Sequence, residues 1–170
     1  MAALNLITFA DAAGSRAGVL LSGGRVLDLA VAMPPARDML SVIEGGAPML
    51  AAIRALAANP PANALLALAS VALQAPIPQP RRNVFCVGRN YMDHVAEGDR
   101  TRGITQSEVP KYPQFFTKAA DCVIAPGAKV PTHEGVTKWL DYEVELVAII
   151  GKTGRDIPKD KALEHVYGLS

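Results

Sequence analysis

Glu143 and Glu145, separated by a single residue, are the first candidates for chemistry in this chain. They stand in Asp141-Tyr142-Glu143-Val144-Glu145-Leu146-Val147-Ala148-Ile149-Ile150-Gly151, whose aromatic, β-branched and aliphatic residues predict a buried strand that ends at Gly151. Side chains alternate across a strand, so both carboxylates are expected on one face, side by side. Like charges held that close repel, and a cation between them offsets the repulsion. Ligands made only of oxygen suit a hard divalent ion such as Mg2+, Mn2+ or Ca2+. The same Glu-x-Glu pattern also describes the solvated face of an antiparallel strand, and the residues alone leave both readings open.

A second cluster lies in Asn90-Tyr91-Met92-Asp93-His94-Val95-Ala96-Glu97. On a helix, His94 and Glu97 are three residues apart and therefore neighbours on one face. A carboxylate beside an imidazole orients the ring to accept a proton from water, which is the arrangement of a general base. An incidental surface pair has the same spacing. Zinc is disfavoured, because His133 and His165 do not stand at ligand spacing from His94. Gly151-Lys152-Thr153 resembles the end of a phosphate loop, but nothing glycine-rich precedes it at the required distance.

The elements that must carry these residues read as an α+β chain in two parts. Leu4 to Phe9, Arg16 to Ser22 and Arg25 to Leu29 form a meander of three short strands, the last turn made by Gly23-Gly24. Ala36 to Ile43 and Pro48 to Ala58 carry apolar residues at helical spacing, and Leu65 to Leu73 is expected to finish extended. Pro76, Pro78 and Pro80 each remove a backbone donor and restrain the residue before them, which sets the boundary between a small domain over 1–76 and a second over 77–170. In the second part Asn83 to Val87 reads as a strand, Met92 to Gly98 as a helix, and Asp99 to Pro113 as a polar loop able to act as a lid. Gln114 to Thr117 and Cys122 to Ile124 follow as strands, Lys129 to Pro131 as a local pairing, and Asp160 to Tyr167 as a helix.

Composition narrows the function classes. The chain has 170 residues, half of them hydrophobic, with 17 Lys and Arg against 16 Asp and Glu, a net charge of +1. No basic stripe or acidic tail accompanies that balance, so capture of nucleic acid or of a membrane surface is not expected. Cys86 and Cys122 sit in apolar surroundings and are expected as reduced core residues of a cytoplasmic protein. No secretory signal or membrane span is read from the sequence.

The order of the pieces carries a resemblance. Cys86-Val87-Gly88-Arg89-Asn90-Tyr91-x-Asp93-His94-x-x-Glu97, then Pro113-x-Phe115-Phe116-Thr117-Lys118, then Ile124-x-Pro126-Gly127, then Asp141-Tyr142-Glu143-Val144-Glu145-Leu146 and Gly151-Lys152 together resemble the fumarylacetoacetate hydrolase family from about residue 83 onward. The resemblance implies a small amino-terminal domain of hairpins and helices followed by the first part of a mixed β-roll. It implies Glu143 and Glu145 as metal ligands, His94 and Glu97 as the water-activating dyad, and Lys118 as the ammonium facing the reacting oxygen. Arg89 and Tyr91 are implied as substrate-carboxylate or wall residues, and Asp141 is left as a supporting or structural residue.

The implied activity is metal-dependent cleavage of a carbon–carbon bond in a 2-oxo acid or β-diketone, in a homodimer. Decarboxylases, hydratases and isomerases of 2-oxo acids share the fold. A third carboxylate ligand, an aspartate, would lie beyond Ser170, so the chain is expected to be the amino-terminal part of a longer enzyme. The alternative is an inactive fragment or binding module lacking that ligand.

Overall fold

A computed structural model describes residues 3–12, 14–103, 105 and 110–170. The meander forms as β1 (Leu6–Asp11), β2 (Gly14–Leu21) and β3 (Arg25–Asp28). β2 pairs antiparallel with both neighbours, with Leu6 opposite Val19 and Leu20 opposite Val26. Gly23 and Gly24, at φ of 70° and 66°, make the turn between β2 and β3, a left-handed backbone that glycine adopts without a Cβ clash. At Gly18 a Cβ would meet Phe9 Cε1 at 2.9 Å and Leu27 O at 3.1 Å, so glycine permits the tight approach of the packed strands.

Three helices follow: α1 (Leu29–Ala32), α2 (Met39–Glu44) and α3 (Gly46–Ala58). Asp28 caps α1, accepting from the amides of Ala30 at 2.9 Å and Val31 at 3.3 Å, while its other oxygen accepts from Arg16 at 2.6 Å. Asp38 and Ser41 form a reciprocal capping box on α2, satisfying donors that the first turn leaves open. The stretch expected to end extended supplies β4 (Leu65–Ala67) and β5 (Ala72–Leu73), separated by a 3-10 turn at Leu68–Ser70. The five strands lie in the order β4-β3-β2-β1-β5. The helices cover one face of this sheet, burying Val19, Leu27, Leu29, Val42 and Ile53 in a common core.

In the remainder of the chain, β6 (Val84–Gly88) and β7 (Gln114–Lys118) form an antiparallel pair, with α4 (Met92–Thr101) between them in sequence. β8 (Ala148–Ile150) pairs with β9 (Val166–Leu169). Contacts divide the chain into two compact units, Met1–Pro78 with Ile124–Ser170 and, separately, Gln79–Val123. Within the first unit, Ile149 and Tyr167 pack against the core beneath the five-stranded sheet.

Several local expectations give way. The strand expected over Asp141–Gly151 is regular only at Ala148–Ile150; pairing reaches Val147, which exchanges backbone bonds with Ser170 at 2.9 Å, and residues 141–146 have no ladder partner among the described residues. Cys122 ends a 3-10 turn (Ala120–Cys122) instead of opening a strand, and residues 129–131 carry no strand pairing among the described residues. Lys159–His165 is a 3-10 segment, and Tyr167 belongs to the strand after it. The expectation of two core cysteines is also corrected: Cys122 is exposed and Cys86 half-buried, both of them free thiols. Of the expected lid over 99–113, residues 99–101 belong to α4, and residues 104 and 106–109 lie outside the described residues.

Candidate functional site

In the unit formed by residues 79–123, β6 delivers the chain to Arg89, whose φ of 54° is left-handed. A non-glycine residue held there costs about 1–3 kcal/mol, so its surroundings must over-determine the conformation. Arg89 Nη2 donates to both carboxylate oxygens of Asp99 at 3.2 Å, and Asp99 is 2 % exposed. Arg89 Nε is itself buried and has no hydrogen-bond partner among the described residues.

Asn90 and Tyr91 complete the turn, and Tyr91 stands at the N-cap of α4. Along that helix Val95 and Asp99, four apart, form the buried stripe. His94 and Glu97 lie beside that stripe and are exposed, so both reach solvent from adjacent turns. Lys118 stands opposite Val84, at the end of the hairpin remote from Gly88, which pairs with Gln114. At the rise of an antiparallel strand, those two ends are about 13 Å apart. A cavity of about 240 Å³ opens between residues 87–90 and 110–113, with Arg89, Asn90, Lys111 and Tyr112 on its walls.

In the other unit, Glu143 and Glu145 occupy the irregular stretch before β8, and both are exposed. The apolar residues interleaved with them are exposed as well, Val144 at 93 % and Tyr142 at 89 %. Their donor chemistry fits a divalent cation of the magnesium type, which takes oxygen ligands, keeps several waters and is commonly held by one or two carboxylates. Among the described residues no group of three or more His, Cys, Asp or Glu is gathered to hold a metal. Glu143 and Glu145 are two exposed carboxylates carrying the kind of oxygen donor that such a cation takes.

Asp99 is the residue that reading the sequence passed over. It was expected to open a polar loop, yet it continues the helix and lies one turn after the buried Val95. The usable signal was that spacing, an acidic residue four positions from the apolar anchor of a short helix.

The mixed helix and strand architecture, with curled antiparallel sheets, defines the class, and comparison with known proteins defines the family. A family profile for the C-terminal domain of fumarylacetoacetate (FAA) hydrolase matches residues 83–170. The chain belongs to the fumarylacetoacetate hydrolase family. It is 42 % identical over 106 residues to oxaloacetate tautomerase YisK of Bacillus subtilis, a match covering 62 % of this chain and 34 % of that protein.

Among solved structures, the fumarylacetoacetate hydrolase of Exiguobacterium antarcticum superposes with a TM-score of 0.71 at 33 % identity, covering 99 % of this chain and 54 % of that one. A maleylpyruvate hydrolase of Sphingobium sp. SYK-6, solved with manganese(II) and pyruvate, shares the fold with a TM-score of 0.69 at 24 % identity, covering 96 % of this chain and 55 % of that one. The chain thus spans about a third of the tautomerase and just over half of each solved chain. Among the described residues no helix is long and apolar enough to cross a membrane.

Proposed function

We propose that the protein is a metal-dependent hydrolase that cleaves a carbon–carbon bond in a 2-oxo acid or β-diketone. The observation that carries this reading is the family match over residues 83–170, a span that contains Tyr91, His94, Glu97, Lys118, Glu143 and Glu145. Glu143 and Glu145 are assigned to a divalent cation, Mg2+, Mn2+ or Ca2+, on the oxygen-only chemistry of their side chains. When bound, the cation supplies Lewis-acid polarisation of the 2-oxo group.

The remaining steps fall to the chain's own side chains. His94 takes a proton from water, and Glu97, one turn along α4, holds the ring in the orientation that accepts it. The hydroxide so formed attacks the distal carbonyl, and the Lys118 ammonium offsets the negative charge that develops on its oxygen. The carbon–carbon bond then breaks with its electron pair leaving on the carbon adjacent to the 2-oxo group. Protonation of that carbon releases the shorter 2-oxo acid. Tyr91, exposed at the head of α4, is assigned to the wall of the substrate site.

A second reading is keto–enol isomerisation of a 2-oxo acid, favoured by the 42 % identity to an oxaloacetate tautomerase. It uses the same proton acceptor but requires no attacking water, and it leaves the carbon skeleton intact. The two are separated by assaying the purified protein against acylpyruvates, fumarylpyruvate and oxaloacetate, with Mn2+, with Mg2+ or with chelator. Metal-dependent release of pyruvate from an acylpyruvate is the expected result. Accelerated enol–ketone exchange without cleavage selects the isomerase, and turnover indifferent to chelation overturns both.

A further inference from the structure

We propose that Arg89 and Asp99 form a clamp that sets α4 against the end of β6 and thereby positions His94 and Glu97; the inference rests on the proton-transfer role assigned to that pair above. Of the ten residues of α4, only Val95 and Asp99 are fully buried, and Val95 is the one apolar side chain of the two. One valine resists sliding or rotation weakly, because hydrophobic contact has no preferred direction.

The ion pair supplies the direction. Arg89 Nη2 donates to both oxygens of the Asp99 carboxylate, and the planar guanidinium behind that nitrogen, with its Nε buried, restricts the approach more than a freely rotating ammonium would. Three unfavourable features converge at this one point: a left-handed non-glycine residue, a carboxylate 2 % exposed and a buried Nε lacking a partner among the described residues. Such features persist where the surrounding structure holds them, and they concentrate where geometry serves function.

The clamp also lies at the right place along the chain. Arg89 precedes the helix by three residues and Asp99 stands near its far end, so the pair spans the segment that carries His94 and Glu97. The guanidinium of Arg89, which the family resemblance implied for the substrate carboxylate or the site wall, is engaged by the buried Asp99 instead, so both clamp residues act through the helix.

Arg89→Lys keeps the charge and loses the planar guanidinium, Asp99→Asn keeps the shape and loses the charge, and Arg89→Gly relieves the left-handed backbone while removing the side chain. Amide hydrogen exchange over residues 92–101 is expected to accelerate at least about tenfold in all three, with exchange in β6 and β7 unchanged. In the enzyme assay kcat is expected to fall at least about tenfold with KM and Mn2+ affinity held within about threefold, the pattern of a misplaced proton acceptor and not of lost binding. Unchanged exchange over 92–101 overturns the clamp, and so does a loosened helix with unchanged kcat. Full activity in Arg89→Gly alone would assign the effect to the backbone and likewise overturn it. A wild-type protein that turns over none of the oxo acids would sink the functional reading, and hydrogen exchange would then decide the clamp by itself.

Discussion

Tyr167 donates its hydroxyl to the backbone carbonyl of Val42 at 3.3 Å, tying β9 to α2 across 125 positions of sequence. Burial pushes this hydroxyl up from 10.0 to about 12. Between those two values the folded protein keeps a proton that the unfolded chain has released, so stability must fall as pH rises through that window and is undiminished below it. The ring is only half-buried, and solvent screening leaves an effect of about 1 kcal/mol across the window. Chemical denaturation of wild type and Tyr167→Phe at several alkaline pH values tests this. The difference between the two curves should shrink with rising pH, and parallel curves would count against it.

Arg16 and Asp28 form a comparable link within the first sheet. Asp28 is 2 % exposed and serves both as partner of Arg16 and as cap of α1. Asp28→Ala removes both roles, at an expected cost of about 2–3 kcal/mol. Asp28→Asn retains a capping oxygen and should recover about 1 kcal/mol of that loss. Urea unfolding of the two variants measures the ordering, and equal destabilisation would remove capping from the account.

The amino-terminal meander and its helices were legible because each declares itself locally, by alternation, by apolar residues at helical spacing, and by glycine or proline at the turns. Elements that depend on a distant partner were not. Residues 141–146 have strand-forming side chains, yet a strand is regular only where a neighbour pairs with it, and here pairing begins at Val147. Val166 and Tyr167 continue a helical pattern on paper, but pairing with Ile150 and burial of Tyr167 against the core draw them into β9. Of the candidate site, Glu143, Glu145, His94 and Glu97 could be nominated from spacing and family resemblance. Asp99 carried only its spacing from Val95 as a signal, and an acidic residue near a helix end reads as solvated until its partner Arg89 is seen beside it.

Gly18 tests the packing of that meander. An added Cβ would lie 2.9 Å from Phe9 Cε1, 3.0 Å from Val26 Cγ1 and 3.1 Å from Leu27 O. Phe9 and Val26 are fully buried and the third contact is backbone, so none of the three can swing clear. Gly18→Ala should therefore destabilise by about 1–3 kcal/mol, the usual cost of overpacking a dense core. A thermal midpoint equal to wild type would show that the strands yield more easily than their packing implies.

The glutamates and the histidine are assigned to different tasks, so their substitutions should separate. Glu143→Gln and Glu145→Gln each remove one negative charge from the proposed cation site while keeping nearly the same shape. Titration of Mn2+ followed by its electron paramagnetic resonance signal should show affinity falling at least about tenfold in either variant, since ligand charge governs the binding of hard cations. His94→Ala should leave that titration unchanged and lower the rate of hydrolysis by about 10²–10⁴, the range a positioned general base contributes. Isomerisation, needing no attacking water, offers a further comparison: if His94→Ala abolishes hydrolysis but spares enol–ketone exchange, His94 serves the water alone. Loss of Mn2+ affinity in His94→Ala, or retained affinity in both glutamate variants, would require the two roles to be exchanged.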